Sequence, residues 1–198
     1  VPASVIAGSD QLLVNGAPLL VIVAGGKDAT KAAAVVFAAT MLVRVPVFLF
    51  AGIAGSFLPN LARLNAEADY RRFAMTVTRV CLAFAGATVV FTAAAAVAGP
   101  TALRALYGAD YTASAGDLAL LGFGAGCYLA AGTISQGLLA LARASTAALA
   151  WATAAAVFVI VETVASGSEL HRVSLAIATA MALNTIVLVL VFARRVRN

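Results

Sequence analysis

Residues 173–193 contain no charged side chain, and neither do residues 80–98, 118–142 and 144–161. A helix that crosses the hydrocarbon core of a bilayer needs about 20 predominantly apolar residues. Two further stretches come close. Residues 11–26 are uncharged and can be extended by residues 1–9 ahead of Asp10, and residues 32–62 are interrupted only by Arg44. None of these runs alternates as the strands of a membrane barrel do. Backbone groups in lipid must bond within their own segment, which leaves helices. The expected fold is an all-α integral membrane protein, a six-transmembrane-helix bundle. Residues 1–198 form a single lobe with spans near 4–26, 32–58, 78–98, 118–142, 145–164 and 173–193.

Composition narrows the function classes. Of the 198 residues, 63% are hydrophobic and 11% are charged; a soluble domain of this size is about a quarter charged. The mean hydropathy is +1.03. A soluble enzyme, a nucleic-acid-binding domain and a disordered chain are excluded. The pI near 9.8 does not point to nucleic acid, because the 13 Lys and Arg sit beside apolar runs, where such charges set membrane orientation. Eight fall on the side expected to carry both termini and four on the other, with Arg44 inside a span. Both termini are therefore expected in the cytoplasm. No Lys or Arg precedes Lys27, so a charged signal-peptide n-region is missing. The Ala-rich composition is read as GC-rich bacterial coding.

The expected connections are a tight turn at Gly25-Gly26-Lys27-Asp28, a polar loop over 59–79, a helix break at Gly99-Pro100, and a semi-polar stretch over 101–117. Arg143 marks a further turn, and residues 166–172 form the last loop.

Arg44 is the most informative residue. An Arg at mid-membrane costs about 2.5–3.5 kcal/mol on insertion scales, so it belongs against protein or an aqueous cavity. A guanidinium there suits an anion such as phosphate or carboxylate. The alternatives are an internal structural pair, or snorkelling of a shifted span. Pro46, two residues on, removes a helix hydrogen bond and is expected to kink the helix; broken helices mark binding sites in transporters. Pro18 beside Gly16 raises the same question in the first span. Gln11 and Asn15 share one helix face. Asn15, and Gln136 in the fourth span, are candidate cavity residues, with interhelical hydrogen bonding as the plainer role. Asn184 reads the same way. Glu162 is expected to reach the headgroups, with a buried proton carrier as the alternative.

Gly122 and Gly126 form a GxxxG, read as close helix packing. Trp151, Tyr107 and Tyr111 fit interfacial anchors. Cys81 and Cys127 lack any CxxC spacing and read as packing residues. His171 is the only histidine, is expected in a loop, and supports no metal site. No P-loop is present. No catalytic residue, metal or cofactor is expected, and the chain is not read as an enzyme.

Residues 42–73, LVRVPVFLFAGIAGSFLPNLARLNAEADYRRF, resemble the second helix and following loop in the C-terminal half of polysaccharide flippases. Those carry an Arg-x-Pro, then a Leu-Pro that closes the helix. Residues 103–143, with LYG followed by a tyrosine and a helix ending near an Ala-Arg turn, are similar to a second hallmark. Residues 10–26 resemble the first helix of the same half. The resemblance covers nearly the whole chain. It implies the multidrug/oligosaccharidyl-lipid/polysaccharide exporter superfamily, whose members are alternating-access bundles of 12 to 14 helices in two lobes. The chain would be one lobe of such a transporter-like fold. The implied substrate is an anionic lipid-linked glycan among membrane lipids, and the implied location is a bacterial cytoplasmic membrane. By the Arg-x-Pro match, Arg44 would meet its pyrophosphate. Six spans are half the family's number, so a fragment or truncated homologue is expected. Its partner is a second six-helix lobe, in the same longer chain or as a dimer. A multidrug or metabolite antiporter, with Glu162 as the coupling acid, and a non-transporting scaffold or remnant remain open.

Overall fold

The computed structural model describes residues 2–24 and 29–197; the side chains at 24, 46, 49–56 and 195–197 lie outside the described residues. The tight turn expected at Gly25-Gly26-Lys27-Asp28 lies outside them too. In chain order the helices are α1 (Pro2–Ala24), α2 (Ala29–Ala66), α3 (Tyr70–Tyr107), α4 (Ala115–Ala140), α5 (Ala144–Val164) and α6 (Glu169–Arg197). No strand occurs among the described residues. Five of these helices, α1, α3, α4, α5 and α6, are long and apolar enough to cross a membrane. These five are counted among the described residues; α2 includes side chains outside them, at 46 and 49–56.

The helices overrun the expected spans where the charges become helix-compatible. α2 and α3 are each 38 residues long, about 57 Å at 1.5 Å per residue, against a hydrocarbon core of about 30 Å. The polar loop expected over 59–79 is therefore mostly helix. Its charges pair at the helix ends: Arg63 Nη1 donates to Glu67 Oε1 at 2.8 Å, and Asp69 caps α3 by accepting from the Arg72 amide at 3.0 Å. The chain turns only between α2 and α3, where Ala68 takes φ 55.

The break expected at Gly99-Pro100 is absent. α3 runs through Pro100 to Tyr107, since a proline removes one backbone bond and membrane helices tolerate this when neighbouring groups compensate. Gly99 is buried, and a Cβ there would meet Leu118 Cδ1 at 2.7 Å; the glycine serves close packing of α3 on α4. α2 continues across position 46, but the Pro46 side chain, and with it the expected kink, lies outside the described residues.

α4 is the most enclosed helix and packs on α3, α6 and α2, while α5 lies against α6 and α1. Small residues permit this. Gly122 and Gly126 face α3, where a Cβ on Gly122 would lie 3.0 Å from the Phe91 carbonyl oxygen. Gly124 faces α6, with Ile177 Cγ2 at 2.7 Å from the same virtual atom. Cys81 and Cys127 are free and half-buried.

At one end of the bundle Asn65 Nδ2 donates to the Ala140 carbonyl at 3.1 Å, joining two turns. The opposite end gathers the starts of α4 and α6 and the end of α5, where Ser114 caps α4 by accepting from the Asp117 amide at 3.0 Å.

Trp151 is not an interfacial anchor. It is 3% exposed, its Nε1 donates to Ser135 Oγ at 2.9 Å, and its ring meets Tyr128 edge-on at 5.7 Å. The paired hydroxyl makes burial of the indole N–H tolerable. Ser135→Ala leaves that N–H unsatisfied and is expected to cost about 1–3 kcal/mol. A lowered unfolding temperature checks this, with Trp151, the only tryptophan, as the fluorescence reporter.

Candidate functional site

Arg44 lies on α2, half-buried. Among the described residues its hydrogen bond is from Nη1 to Asn15 Oδ1 on α1, at 3.2 Å. Asn15 is fixed in turn: its Nδ2 donates to Gln11 Oε1, one helical turn back, at 2.6 Å. The amide pair thus presents an oxygen to the guanidinium, as their shared helix face allows.

Two further groups complete the cluster. Asp10, beside Gln11 on α1, and Tyr128, on α4, interact with each other and with the Arg44 charge. Asp10 Oδ1 is buried and makes no hydrogen bond among the described residues, and no ion-pair contact joins Asp10 to Arg44 among them. The acid therefore balances the guanidinium at a distance. This lowers the cost of holding an Arg inside the bundle without locking it into a fork-to-fork pair.

The guanidinium borders a cavity of about 110 Å³ whose other walls include Leu13, Thr40, Val43, Tyr128 and Met181. A water's share of liquid volume is about 30 Å³, so the space accommodates a few waters or a group of phosphate size. The lining is mostly apolar. An anion entering it would find a planar cation able to donate paired hydrogen bonds in surroundings where the attraction is weakly screened.

The structure brings Asn15 to Arg44 and leaves Gln136 apart. Gln136 lies on α4 eight residues beyond Tyr128, about 12 Å along the axis, with its Oε1 buried and unbonded among the described residues. Asn184 makes no interhelical bond among them either: it is 2% exposed, and both side-chain polar atoms lack partners. Asp10 and Tyr128 were missed by reasoning from the runs alone. Asp10 falls inside the first expected span, 4–26, and lies eight residues inside α1. Its proximity to Gln11 and Asn15 was a readable signal. Tyr128 carried none, being one aromatic residue in an apolar helix.

His171 is not in a loop. It lies in the first turn of α6, with Nδ1 2.7 Å from Asp117 Oδ1. Among the described residues no group of three or more His, Cys, Asp or Glu is placed to hold a metal ion. No protein-family model, no curated protein and no solved structure matches the chain.

Proposed function

We propose that the chain is one lobe of an alternating-access membrane transporter that moves a lipid-linked oligosaccharide. The observation that carries this reading is Arg44: a guanidinium inside an apolar bundle, bordering a cavity, held by a neutral amide and balanced by an acid that does not touch it. A purely structural arginine would be expected to pair closely with its acid, because a buried charge is tolerated best in contact. Among the described residues Asn15 holds Nη1 and no carboxylate takes the remaining donors. A pyrophosphate-linked lipid supplies the missing anion, and its isoprenoid tail stays in the bilayer.

In this reading α2 is the sixth span, and Pro46, which lacks a backbone N–H to bond, lets its two halves move separately. Asn15 orients the guanidinium, and Gln136 lines the route of the glycan further along the bundle. Asp10 stabilises the empty site and is displaced electrostatically when the pyrophosphate arrives. A second six-helix lobe closes the other wall of the cavity, and the two rock against each other. The Lys and Arg excess supports an orientation with the Asn65 end and both termini in the cytoplasm. The resemblance of residues 42–73 and 103–143 to polysaccharide flippases supports the same substrate class.

One observation favours a second reading, an antiporter of drugs or metabolites. Glu162 is 1% exposed, as a coupling acid would be. Substrate charge separates the two. Membrane vesicles carrying the native protein are loaded with a fluorescent pyrophosphate-linked glycolipid and treated with a membrane-impermeant quencher. The flippase reading predicts protein-dependent loss of the protected signal for this lipid. Equal movement of an organic cation with none of the glycolipid supports the antiporter instead.

A further inference from the structure

The end of the bundle opposite Asn65 holds a second charged cluster that glycolipid movement leaves unused. Glu162, expected at the headgroups, sits instead in the last turn of α5 at 1% exposure. Arg172 of α6 is its ionic partner, with Nη2 3.6 Å from Glu162 Oε1, too far for a hydrogen bond. The same Nη2 lies 2.6 Å from Glu169 Oε2. Two carboxylates thus share one guanidinium, and the more exposed Glu169 takes the short contact. Glu162 Oε1 and Arg172 Nε are buried and make no hydrogen bond among the described residues.

At the same end Asp117, 7% exposed on α4, faces His171 Nδ1 at 2.7 Å and accepts from Ser174 Oγ at 3.4 Å. The α4–α5–α6 junction therefore holds three carboxylates against one permanent cation. With His171 neutral it carries two uncompensated negative charges, and a buried charge without a close partner is costly. Two bound protons make it neutral. The His171 side chain is 44% exposed and open to water, while Glu162 is closed off behind Arg172. The remaining charged groups at this end among the described residues, Lys31, Arg104 and Asp110, are exposed, and Lys27 and Asp28 lie outside the described residues. α1 contributes only Leu19, Leu20, Val21, Ile22 and Val23 in its last described turns.

We propose that this junction is a proton-binding site, filled from the compartment on its own side of the membrane, with Glu162 the buried acceptor and His171 at its water-exposed edge. The proton comes from water and adds to a Glu162 carboxylate oxygen; no other covalent bond changes. A protonated Glu162 releases its share of Arg172 and loosens the tie between α5 and α6. This goes beyond the glycolipid reading and does not rest on it.

The test is an infrared pH titration of the purified full chain, without substrate, after labelling glutamate carboxyls with ¹³C. The chain has three glutamates, Glu67, Glu162 and Glu169. In a Glu67→Gln/Glu169→Asp protein, Glu162 alone carries the label and Arg172 keeps a second carboxylate beside it. A labelled carboxylic-acid band that comes and goes reversibly with pH, while the amide band stays constant, is the expected result. Adding Glu162→Gln should remove the band entirely, and His171→Gln should move its midpoint by at least threefold in proton concentration. If Glu162→Gln fails to fold, the double variant still decides. A labelled band that never changes across the pH range in which the fold persists overturns the proposal, as does a midpoint indifferent to His171→Gln.

Discussion

Arg44→Glu is expected to abolish glycolipid translocation while the protein still inserts in the membrane. The reversed charge would face Asp10 on α1 and repel the incoming pyrophosphate. Smaller changes should grade the effect. A hydrogen bond to a charged group contributes about 1.5–3 kcal/mol, so Arg44→Gln should weaken substrate binding by about 10- to 100-fold. Arg44→Lys keeps the charge but loses the planar fork that matches phosphate oxygens, and should fall between wild type and Arg44→Gln. Asn15→Ala removes the 3.2 Å contact that orients the guanidinium and should cost only a few-fold. Vesicle translocation assays at matched expression measure all four. Full activity in Arg44→Glu would mean that the guanidinium is a structural element and the anion site lies elsewhere.

Gly126→Leu should prevent folding outright. A Cβ at this position would stand 2.5 Å from both Cβ and Cγ2 of Thr88, with Oγ1 nearer still. Thr88 cannot swing away freely, because its Oγ1 donates to the Phe84 carbonyl at 2.7 Å. Even Gly126→Ala overpacks the α3–α4 contact, and such insertions cost about 1–3 kcal/mol. Thr88→Ala should recover part of that loss, the signature of a direct contact in a double-mutant cycle. Gly132 on the same helix is the control: a Cβ there meets nothing within 4 Å, so Gly132→Ala should be neutral or stabilising by up to about 1 kcal/mol. Detergent thermal-unfolding measurements would contradict this packing account if both glycines tolerated alanine equally.

The positions of the membrane helices were legible because hydrocarbon imposes one severe rule, the exclusion of charge over about 20 residues. Their ends were not, because that rule stops at the headgroups. Beyond them α2 continues to Ala66, where Arg63 pairs with Glu67 in the turn, and α3 begins at Tyr70, so a run of charges is not by itself a loop. Pro100 misled for a related reason: proline is a stronger stop signal in water than in a membrane helix, where neighbouring groups compensate. Trp151 has the composition of an interfacial anchor, and only its partner Ser135, sixteen residues earlier, explains its burial.

The candidate site was legible in part. Arg44 announced itself by cost, and Asn15 by sharing a face with Gln11. Their meeting across α1 and α2 is a tertiary fact that spacing within one helix does not contain. Tyr128 depends on how α4 lies against α1 and α2, and the pairing of His171 with Asp117, 54 residues apart, on how α4 and α6 lie together. Helix order alone leaves that unspecified.

The central claim is that Arg44 recognises a pyrophosphate. The most direct measurement compares binding of two lipids with the same isoprenoid chain, one ending in pyrophosphate and one in a neutral alcohol. The native protein is predicted to bind the pyrophosphate at least about tenfold more tightly, the equivalent of one charge-assisted hydrogen bond, and Arg44→Gln to erase that difference. Equal affinities for the two lipids, or a preference that survives Arg44→Gln, would contradict the account.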